Sequence, residues 1–112
     1  KSYAFALRVV KVYRYLTEEK REYVLSKQLL RAGTSVGANV EEAVGGQSDK
    51  DFITKLTVAY KEARETHFWI RLLRDSDYLT PLQADSLLAD TDELLRIIGS
   101  IQKTMKSKIR NS

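Results

Sequence analysis

Apolar residues recur at spacings of three and four along almost the whole chain, which is the spacing of one face of an α-helix. Few residues interrupt the pattern, because the sequence of 112 residues holds only one proline and five glycines. Such a chain is expected to form a few long helices joined by short turns. The periodicity therefore predicts an all-α fold.

Four helices are predicted, and their ends carry recognisable signals. Gly45-Gly46 is expected to end the second helix, because glycine is favoured just beyond a helix C-terminus. Ser48 is expected to cap the third helix. The segment Thr80-Pro81-Leu82-Gln83 is a capping box with proline at the first helical position. The predicted spans are Tyr3 to Glu18, Tyr23 to Val44, Ser48 to Asp75 and Pro81 to Lys106.

Short connections predict that successive helices pack antiparallel. The expected architecture is an up-down-up-down four-helix bundle that forms a single domain over residues 1–112. One apolar stripe on each helix is expected to face the core. The predicted core residues are Phe5, Val9, Val12, Leu16, Leu25, Leu29, Ala32, Val36, Val40, Ala43, Phe52, Leu56, Ala59, Ala63, Ile70, Leu73, Leu87, Leu88, Leu94, Leu95, Ile98, Ile101 and Met105.

Composition limits the class of protein. Cysteine is absent, which excludes disulfides and thiol chemistry and suits a reducing compartment. Apolar residues make up 43% and charged residues 30%, as in ordinary globular proteins. No apolar run reaches about 18 residues, and the charged first stretch is unlike a signal peptide. These features predict a cytoplasmic protein with no membrane partner.

The net charge is +4, and it is unevenly distributed. Residues 1–23 carry six basic and three acidic side chains, whereas residues 76–99 carry one basic and five acidic. The final stretch KTMKSKIRNS carries four basic and no acidic side chains. An excess of this size is typical of a solvated surface, and it indicates a partner only where basic residues share a face.

The stretch RAGTSVGANVEEA, residues 31–43, is the least bulky part of the second helix. Glycine inside a helix is less favourable than alanine by up to about 1 kcal/mol, so packing must compensate for Gly33 and Gly37. No phosphate-binding glycine motif is present, and no strand precedes the glycines. The glycines therefore predict a close approach by a neighbouring helix.

The opposite face of the second helix is polar. Three interpretations are open for this polar stripe: a solvated face, a hydrogen-bonded contact with another helix, or a binding site. Arg31 and Glu42 lie three turns apart, too far to pair with each other, and Glu65 is a candidate partner for Arg31. We expect contacts between helices or subunits rather than catalysis. The stripe consists of Gln28, Arg31, Ser35, Asn39 and Glu42, with Glu65 as its expected partner.

Two segments resemble the four-helix-bundle proteins encoded in intervening sequences of bacterial 23S rRNA genes. QLLRAGTSVGANVEEA resembles the family pattern Q-L-x-R-A-x-x-S-V-x-A-N-I-x-E, with Gly37 in place of the usual proline and Ala43 in place of the usual glycine. KEARETHFWIRLL resembles it through Glu65 and Trp69, which occupy the family's E-x-x-x-W pair. The direct matches in the first segment are Arg31, Ala32, Ser35, Val36, Ala38, Asn39 and Glu42.

The resemblance implies a bacterial, cytoplasmic four-helix bundle assembled into a ring-shaped homopentamer. A related accessory protein of diversity-generating retroelements is a basic pentameric bundle that binds nucleic acid. No enzymatic activity is established for the family at large. The resemblance therefore implies the fold more directly than the function.

Surplus apolar residues predict oligomerisation without reference to the family. A helix in a monomeric bundle needs one apolar face, and additional aromatic surface usually marks a partner site. Two helices carry apolar residues away from their core stripes. The predicted interface consists of Tyr3, Leu7 and Val10 on the first helix and Val58, Phe68, Trp69 and Leu72 on the third.

Metal and catalytic sites find little support. Bundles hold di-metal centres when inward Glu residues combine with Glu-x-x-His pairs. Around the single histidine, His67, Glu65 falls on a different face and Arg64 occupies the position three residues before. We expect no metal, no cofactor and no enzymatic activity, with His67 packed between helices. A Ser-His-Asp grouping stays open, although Ser35 and Asn39 lack a supporting pattern.

Two groups of basic residues predict a nucleic-acid interface. Four cations on the third helix fall within about 80° of each other on a helical wheel, with Phe68 among them. Interleaved cations and an aromatic ring suit phosphate contact with base stacking. The first helix adds three cations over a broader arc. The predicted set is Lys50, Lys61, Arg64, Arg71, Arg8, Lys11 and Arg14.

An ordinary explanation exists for the same cations. Asp51, Glu62 and Glu65 are close enough along the helix to pair with them. A five-fold ring, however, would repeat each modest patch and add avidity. We therefore expect a non-enzymatic oligomer that binds RNA or DNA. The alternative is a scaffold that docks another protein through the same ring.

Overall fold

The computed structural model describes residues 1–111. Four helices account for nearly all of them: α1 (Ser2–Glu18), α2 (Leu25–Val44), α3 (Asp49–Asp75) and α4 (Pro81–Arg110). Each helix packs against the next along the chain, and the molecule measures 52 × 21 × 19 Å. No strand occurs within these residues. The predicted up-down-up-down four-helix bundle is confirmed.

The predicted helix ends are confirmed at three places. Gly45 is the C-cap of α2, and its N–H donates to the carbonyl of Glu41 at 3.1 Å. The Ser48 hydroxyl accepts from the N–H of Asp51 at 3.1 Å and caps α3. At α4, Thr80 and Gln83 form both hydrogen bonds of the capping box, at 3.1 and 2.9 Å, with Pro81 in the first turn. The caps of α3 and α4 satisfy N–H groups that a helix N-terminus leaves without internal partners.

The start of α2 differs from the prediction by two residues, because a buried carboxylate caps it. Glu22 is 9% exposed and accepts from the N–H groups of Val24, Leu25 and Ser26 at 3.1, 3.0 and 2.7 Å. Arg21 just before it adopts a left-handed φ of 52°. Burial raises the pKa of Glu22, but the three N–H donors outweigh burial and hold that pKa below its ordinary value of 4.5.

The basic C-terminal stretch is helical. The predicted end of the fourth helix at Lys106 is therefore one turn too early, since α4 continues to Arg110. Lys108 and Arg110 lie in its last turn, where cations interact favourably with the helix dipole. The basic side chains of this stretch are therefore carried by a helix in the described part of the chain, and Ser112 lies outside it.

The core follows the predicted stripes, with one correction. Ile101 was expected to face inward but is 38% exposed. It lies on the part of α4 that borders Lys1 and Ser2, at the edge of the cover that α1 provides. No helix in residues 1–111 is both long enough and apolar enough to cross a membrane. The buried apolar residues include Phe5, Val9, Leu16, Leu29, Ala32, Val36, Leu56, Ala59, Ala63, Ile70, Leu73, Ala84, Leu87, Leu94 and Ile98.

Hydroxyl groups inside the core donate to the helix backbone. Ser26, Thr66 and Thr91 are fully buried. Each hydroxyl donates to the carbonyl four residues earlier, at 2.7 to 2.8 Å. Among the described residues, no buried side-chain nitrogen or oxygen lacks a hydrogen-bond partner. These three polar side chains therefore do not mark a site inside the bundle.

Gly33 and Gly37 let α1 approach α2 closely, as the sequence predicted. Both glycines are buried. A Cβ atom at Gly33 would lie 2.8 Å from a methyl carbon of Val9, and one at Gly37 would lie 3.3 Å from the carbonyl oxygen of Ser2. The first distance is shorter than real Cβ contacts permit. The glycines are therefore required by close helix packing and form no ligand cradle within this seam.

Between α1 and α4 the bundle is more open. Two cavities of about 200 and 250 Å³ lie along this seam. Arg8 of α1 reaches across to the carboxylate of Asp90 and to the hydroxyl of Ser86, and Lys1 pairs with Glu93 at 3.0 Å. Long charged side chains thus bridge a gap that small residues close on the other side of α1.

Candidate nucleic-acid interface

The polar stripe of α2 faces α3 at its centre. Arg31 contacts Glu65 through one terminal nitrogen and Glu62 through the other, at 3.2 Å for Glu62. Its Nε also donates to Gln28 at 3.3 Å. Glu65 in turn accepts from the indole N–H of Trp69 at 2.9 Å. Arg31 therefore contacts the partner named from sequence, and the network joins α2 to α3 at a half-exposed position.

The rest of the stripe makes local or peripheral contacts. The Asn39 amide donates to the carbonyl and the hydroxyl of Ser35, at 2.9 and 3.0 Å. Glu42 pairs with Lys55 of α3 at 3.4 Å, and both side chains are largely exposed. These groups do not converge on a common point. Within residues 1–111 no three His, Asp or Glu side chains are placed to hold a metal ion.

Trp69 corrects one interpretation of the sequence. It was placed opposite the core stripe of the third helix, whereas the indole packs partly buried against the core. It lies one helical turn before the buried Leu73, on nearly the same face, and its indole N–H donates to Glu65. Phe68 beside it is 47% exposed and meets Trp69 edge-on, with ring centroids 5.1 Å apart. The placement of Trp69 away from the core is therefore wrong, and its role at an interface stays a prediction.

The cations of α3 lie along its outer face. Lys50, Lys61 and Arg64 are exposed, and no ion pair joins them to another residue in the described part of the chain. Arg71 donates from Nε to Nδ1 of His67 at 3.0 Å, and its guanidinium carbon lies 5.9 Å from the centre of the Phe68 ring. Neighbouring carboxylates therefore do not neutralise these four cations by direct contact.

The cations of α1 divide into two kinds. Arg8 is engaged with Asp90 and Ser86, so its guanidinium serves the seam with α4. Lys11 and Arg14 are exposed, and neither has an ion pair to residues 1–111. The α3 face is thus the more continuous part of the predicted basic surface.

A groove between α3 and α4 brings together residues that the sequence did not connect. Its volume is about 570 Å³. His67 contacts Asp92 of α4 through Nε2 at 3.2 Å, which agrees with the expectation of an interhelical histidine. Because Nδ1 accepts from Arg71, the neutral ring places its proton on Nε2. The groove is lined by Arg64, Glu65, His67, Phe68, Arg71, Asp92 and Leu95.

Ion pairs across the α4 seams were missed from the sequence. The signal was available in part, because residues 1–23 are mainly basic and residues 76–99 mainly acidic. At the end of α3, Arg74 bonds to Asp75 at 2.9 Å and reaches Asp85 of α4 at 3.4 Å. The Asp75 hydrogen bond raises the pKa of Arg74, and the same bond lowers the pKa of Asp75.

Apolar residues proposed for subunit contact are exposed to different degrees. Tyr3 and Leu7 on α1 are 66% and 50% exposed. Val58 on α3 is 38% exposed, whereas Val10 and Leu72 are partly buried. Phe68, which is 47% exposed, lies on the outer face of α3 with Arg64 and Arg71. One helix face therefore carries both predicted functions.

Comparison with known proteins gives the family. The profile of the 23S rRNA-intervening sequence protein family matches residues 1–100. A similar solved structure is that of a protein with unknown function from the S23 ribosomal protein family of Bacteroides thetaiotaomicron VPI-5482. It is 47% identical, with a TM-score of 0.90, and the match covers 91% of this chain and 94% of that chain. No curated protein sequence matches. Because the family profile covers most of its length, this chain belongs to the 23S rRNA-intervening sequence protein family.

Proposed function

We propose that this protein is a non-enzymatic homo-oligomer that binds RNA or DNA through phosphate contacts in the bacterial cytoplasm. The observation that supports this proposal is the outer face of α3, where Lys50, Lys61 and Arg64 are exposed without an ion pair to the described residues. Cations that are not engaged with carboxylates are available to phosphates. Phosphate contacts position a protein on nucleic acid without specifying the base sequence.

The proposed assembly is a ring of five copies. Exposed apolar side chains on two helices support a subunit interface, above all Tyr3 and Leu7 on α1. The family resemblance supports the number five. Repetition of one weak phosphate site around a ring gives avidity without new contacts. Light scattering at micromolar concentration is expected to give several times the chain mass of 12.8 kDa, and a monomer would contradict the assembly.

No catalytic step and no cofactor enter the proposal. The residues of the polar stripe and His67 are engaged in contacts within or between helices. Arg31 bonds to Glu62 and Glu65, and Glu42 pairs with Lys55. His67 lies between Arg71 and Asp92.

A second candidate function is a scaffold that docks another protein. It is supported by an apolar groove of about 210 Å³ beside the start of α1. Val40, Leu56, Ile97 and Ile101 line this groove, and the last two are 39% and 38% exposed. Exposed apolar surface of this kind is a common feature of protein interfaces. The groove lies away from the basic face of α3, so the two candidate functions use different residues.

The test is nucleic-acid binding as a function of salt, measured by fluorescence anisotropy with labelled strands. We expect log K to fall by about 0.7–0.9 per phosphate contact for each decade of salt. The triple variant Lys61→Gln, Arg64→Gln, Arg71→Gln is expected to bind more weakly and with a flatter slope, while light scattering shows the oligomer intact. Absence of saturable binding at low salt and about ten micromolar protein would leave the scaffold as the better hypothesis.

Two controls separate the α3 face from general charge. The triple variant Lys20→Gln, Lys27→Gln, Arg96→Gln removes the same charge from exposed positions elsewhere, and we expect it to change the salt slope less. Truncation after Thr104 removes the basic end of α4. If the truncated chain loses all binding and the α3 variant loses none, the basic face of α3 is not the interface.

A further inference from the structure

The groove between α3 and α4 combines charged, aromatic and apolar side chains. Its volume of about 570 Å³ lies within the range of roughly 300–1,000 Å³ typical of small-molecule sites. Arg64, Phe68 and Arg71 line it from α3, and Leu95 lines it from α4. It therefore offers cations, an aromatic ring and an apolar wall in one place.

The two carboxylates of the groove, Glu65 and Asp92, are both engaged by hydrogen-bond donors. Glu65 is occupied by Arg31 and by the indole N–H of Trp69. Asp92 is occupied by His67, at 3.2 Å. Both carboxylates thus already have donors.

The guanidinium groups are the ones left available. The Arg64 side chain has no hydrogen bond or ion pair to another described residue. Arg71 uses Nε for the uncharged Nδ1 of His67, and its two terminal nitrogens make no hydrogen bond within residues 1–111. The two residues are seven positions apart, or two helical turns, so they stand on the same side of α3. A phosphate at this edge would meet cations that have no competing carboxylate bound.

Phe68 lies between these two arginines along the helix. Its ring is 47% exposed and is fixed edge-on against Trp69, at an interplanar angle of 76°. The Arg71 guanidinium lies 5.9 Å from the ring centre, near the outer limit of about 6 Å for a cation–π contact. A planar base can therefore replace that weak contact and release Arg71 toward a phosphate.

We infer that this groove holds one unpaired nucleotide of a single strand, with its base against Phe68 and its phosphate near Arg64 and Arg71. This inference rests on the proposed nucleic-acid function and adds the class of ligand. In a duplex the base faces are covered by their neighbours, so a stacking site of this kind is filled only by a single strand or an unpaired end. The protein then prefers single strands over duplexes at equal salt.

The test compares oligo(dT) with an oligo(dT)·oligo(dA) duplex of the same length, by anisotropy on the intact oligomer. Loss of one stacking aromatic is worth about a 5-fold to 150-fold change in single-strand affinity. Phe68→Leu is expected to weaken oligo(dT) binding by that factor, to leave duplex binding unchanged and to keep the salt slope. Phe68→Tyr, which retains a stacking ring, is expected to bind like the unmodified protein.

Arg64→Gln with Arg71→Gln is the complementary variant. It is expected to lower the single-strand salt slope by about 1.4, since each lost phosphate contact contributes about 0.7. Tyr23→Leu removes an aromatic that is 57% exposed outside the groove, and we expect no change in binding. These variants separate the stacking contact from the phosphate contacts.

Trp69 provides a direct signal that needs no variant. It is the one tryptophan of the chain, and its ring centroid lies 5.1 Å from that of Phe68. As oligo(dT) is added, the Trp69 fluorescence emission is expected to change over the same concentration range as the anisotropy. The duplex is expected to leave the Trp69 emission unchanged. This measurement applies even if Phe68→Leu lowers the oligomer mass.

The outcomes distinguish the two proposals. If neither oligo(dT) nor the duplex binds, the proposed function is wrong and the inference is wrong with it. A second outcome is that oligo(dT) and the duplex bind equally, that Trp69 emission is unchanged and that Phe68→Leu has no effect. Phosphate binding then stands, and the nucleotide site is overturned. If Phe68→Leu dissociates the oligomer and oligo(dT) leaves Trp69 emission unchanged, Phe68 belongs to a subunit contact and the inference is overturned.

Discussion

The two sides of α1 are built in opposite ways. Toward α2, Gly33 and Gly37 remove side chains so that the helices touch, and Val9 fills the space that the first glycine leaves. Toward α4, Arg8 and Lys1 extend across a seam that holds cavities of about 200 and 250 Å³. The α1–α2 seam depends on the absence of side chains at two glycines, and the α1–α4 seam depends on long charged side chains.

The difference matters because the two kinds of seam respond differently to change. Close-packed contacts tolerate neither added nor removed volume, since their neighbours relax only partly. Exposed ion pairs contribute little, since solvent screens the charges and long side chains lose freedom when they pair. We therefore expect substitutions in the α1–α2 seam to affect stability more than substitutions in the α1–α4 seam.

The largest effect is expected from Gly33→Ala. Alanine is the better helix former by about 1 kcal/mol, but its Cβ would lie 2.8 Å from Val9, whose branched side chain is stiff. Overpacking of this kind costs about 1–3 kcal/mol. Urea denaturation is expected to show a lower free energy of unfolding by that amount.

Two controls test the cause of that loss. Gly99→Ala on α4 brings the same gain in helix propensity, and its Cβ would sit at an ordinary 3.4 Å from Tyr60. It is expected to leave stability unchanged or raise it by up to about 1 kcal/mol. In a Val9→Ala background, Gly33→Ala is also expected to become stabilising. A Gly33→Ala variant as stable as Gly99→Ala would show that the α1–α2 seam is not close-packed at this position.

Glu22 stabilises the turn between α1 and α2 at the end of the close-packed seam. Its substitution is expected to have the next largest effect on stability. Glu22→Gln keeps the shape but loses the charge that three backbone N–H groups bind. Hydrogen bonds to charged groups are worth about 1.5–3 kcal/mol, and we expect a loss of about 1–2 kcal/mol at neutral pH because the amide retains part of the cap.

The contribution of Glu22 is expected to depend on pH. Its folded pKa is held below its ordinary value of 4.5, so the unfolded chain takes up the proton first as the pH falls. The contribution is therefore complete above pH 4.5 and is lost as the pH falls through the folded pKa. Melting curves at neutral and acid pH are expected to converge for Glu22→Gln and the unmodified protein. A constant difference between them would contradict the cap.

The sequence predicted the tight seam but not the open one, and the reason is physical. Two glycines inside a helix are unfavourable by themselves, so Gly33 and Gly37 indicate a close contact without knowledge of the neighbour. Ion pairs such as Arg8 with Asp90 depend on the rotation and height of two helices that are distant in sequence. The opposite charges of residues 1–23 and 76–99 indicated attraction but not which residues meet.

The candidate site divides in the same way. The cationic stripe of α3 follows from helical periodicity alone, and Lys61, Arg64 and Arg71 lie on one outer face as the wheel predicts. That Asp92 and Leu95 line the groove beside this stripe could be seen only once the position of α4 was known. Trp69 was misplaced although it lies four residues before the buried Leu73, which is about 40° away on the helical wheel.

Between the two extremes lies the α2–α3 contact of Arg31 with Glu65. The Arg31 side chain is 50% exposed and that of Glu65 is 37% exposed, so Glu65→Gln is expected to cost at most about 1 kcal/mol in an isolated chain. Removal of one partner from a fully buried pair costs about 3–5 kcal/mol. A loss in that larger range would indicate that another subunit covers the pair. Glu41→Gln, at an exposed position on α2, the helix that carries Arg31, serves as the control for thermal melting.

The smallest effect is expected at the ion pair between Arg8 and Asp90. The side chains are 40% and 42% exposed, and exposed pairs typically contribute about 0.2–1 kcal/mol. A double-mutant cycle with Arg8→Gln and Asp90→Asn is expected to give a coupling of that size, which decreases as salt is added because exposed charges are screened. Arg14→Gln, on the same helix without an ion pair in the described chain, is expected to show no coupling to Asp90→Asn.

Because Asp90 already holds the Arg8 guanidinium, Arg8→Gln is also expected to weaken nucleic-acid binding less than Arg64→Gln does. A coupling between Arg8→Gln and Asp90→Asn well above 1 kcal/mol would mean that the seam between α1 and α4 is shielded from solvent in the assembled protein. The contrast between the two sides of α1 would then hold only for the isolated chain.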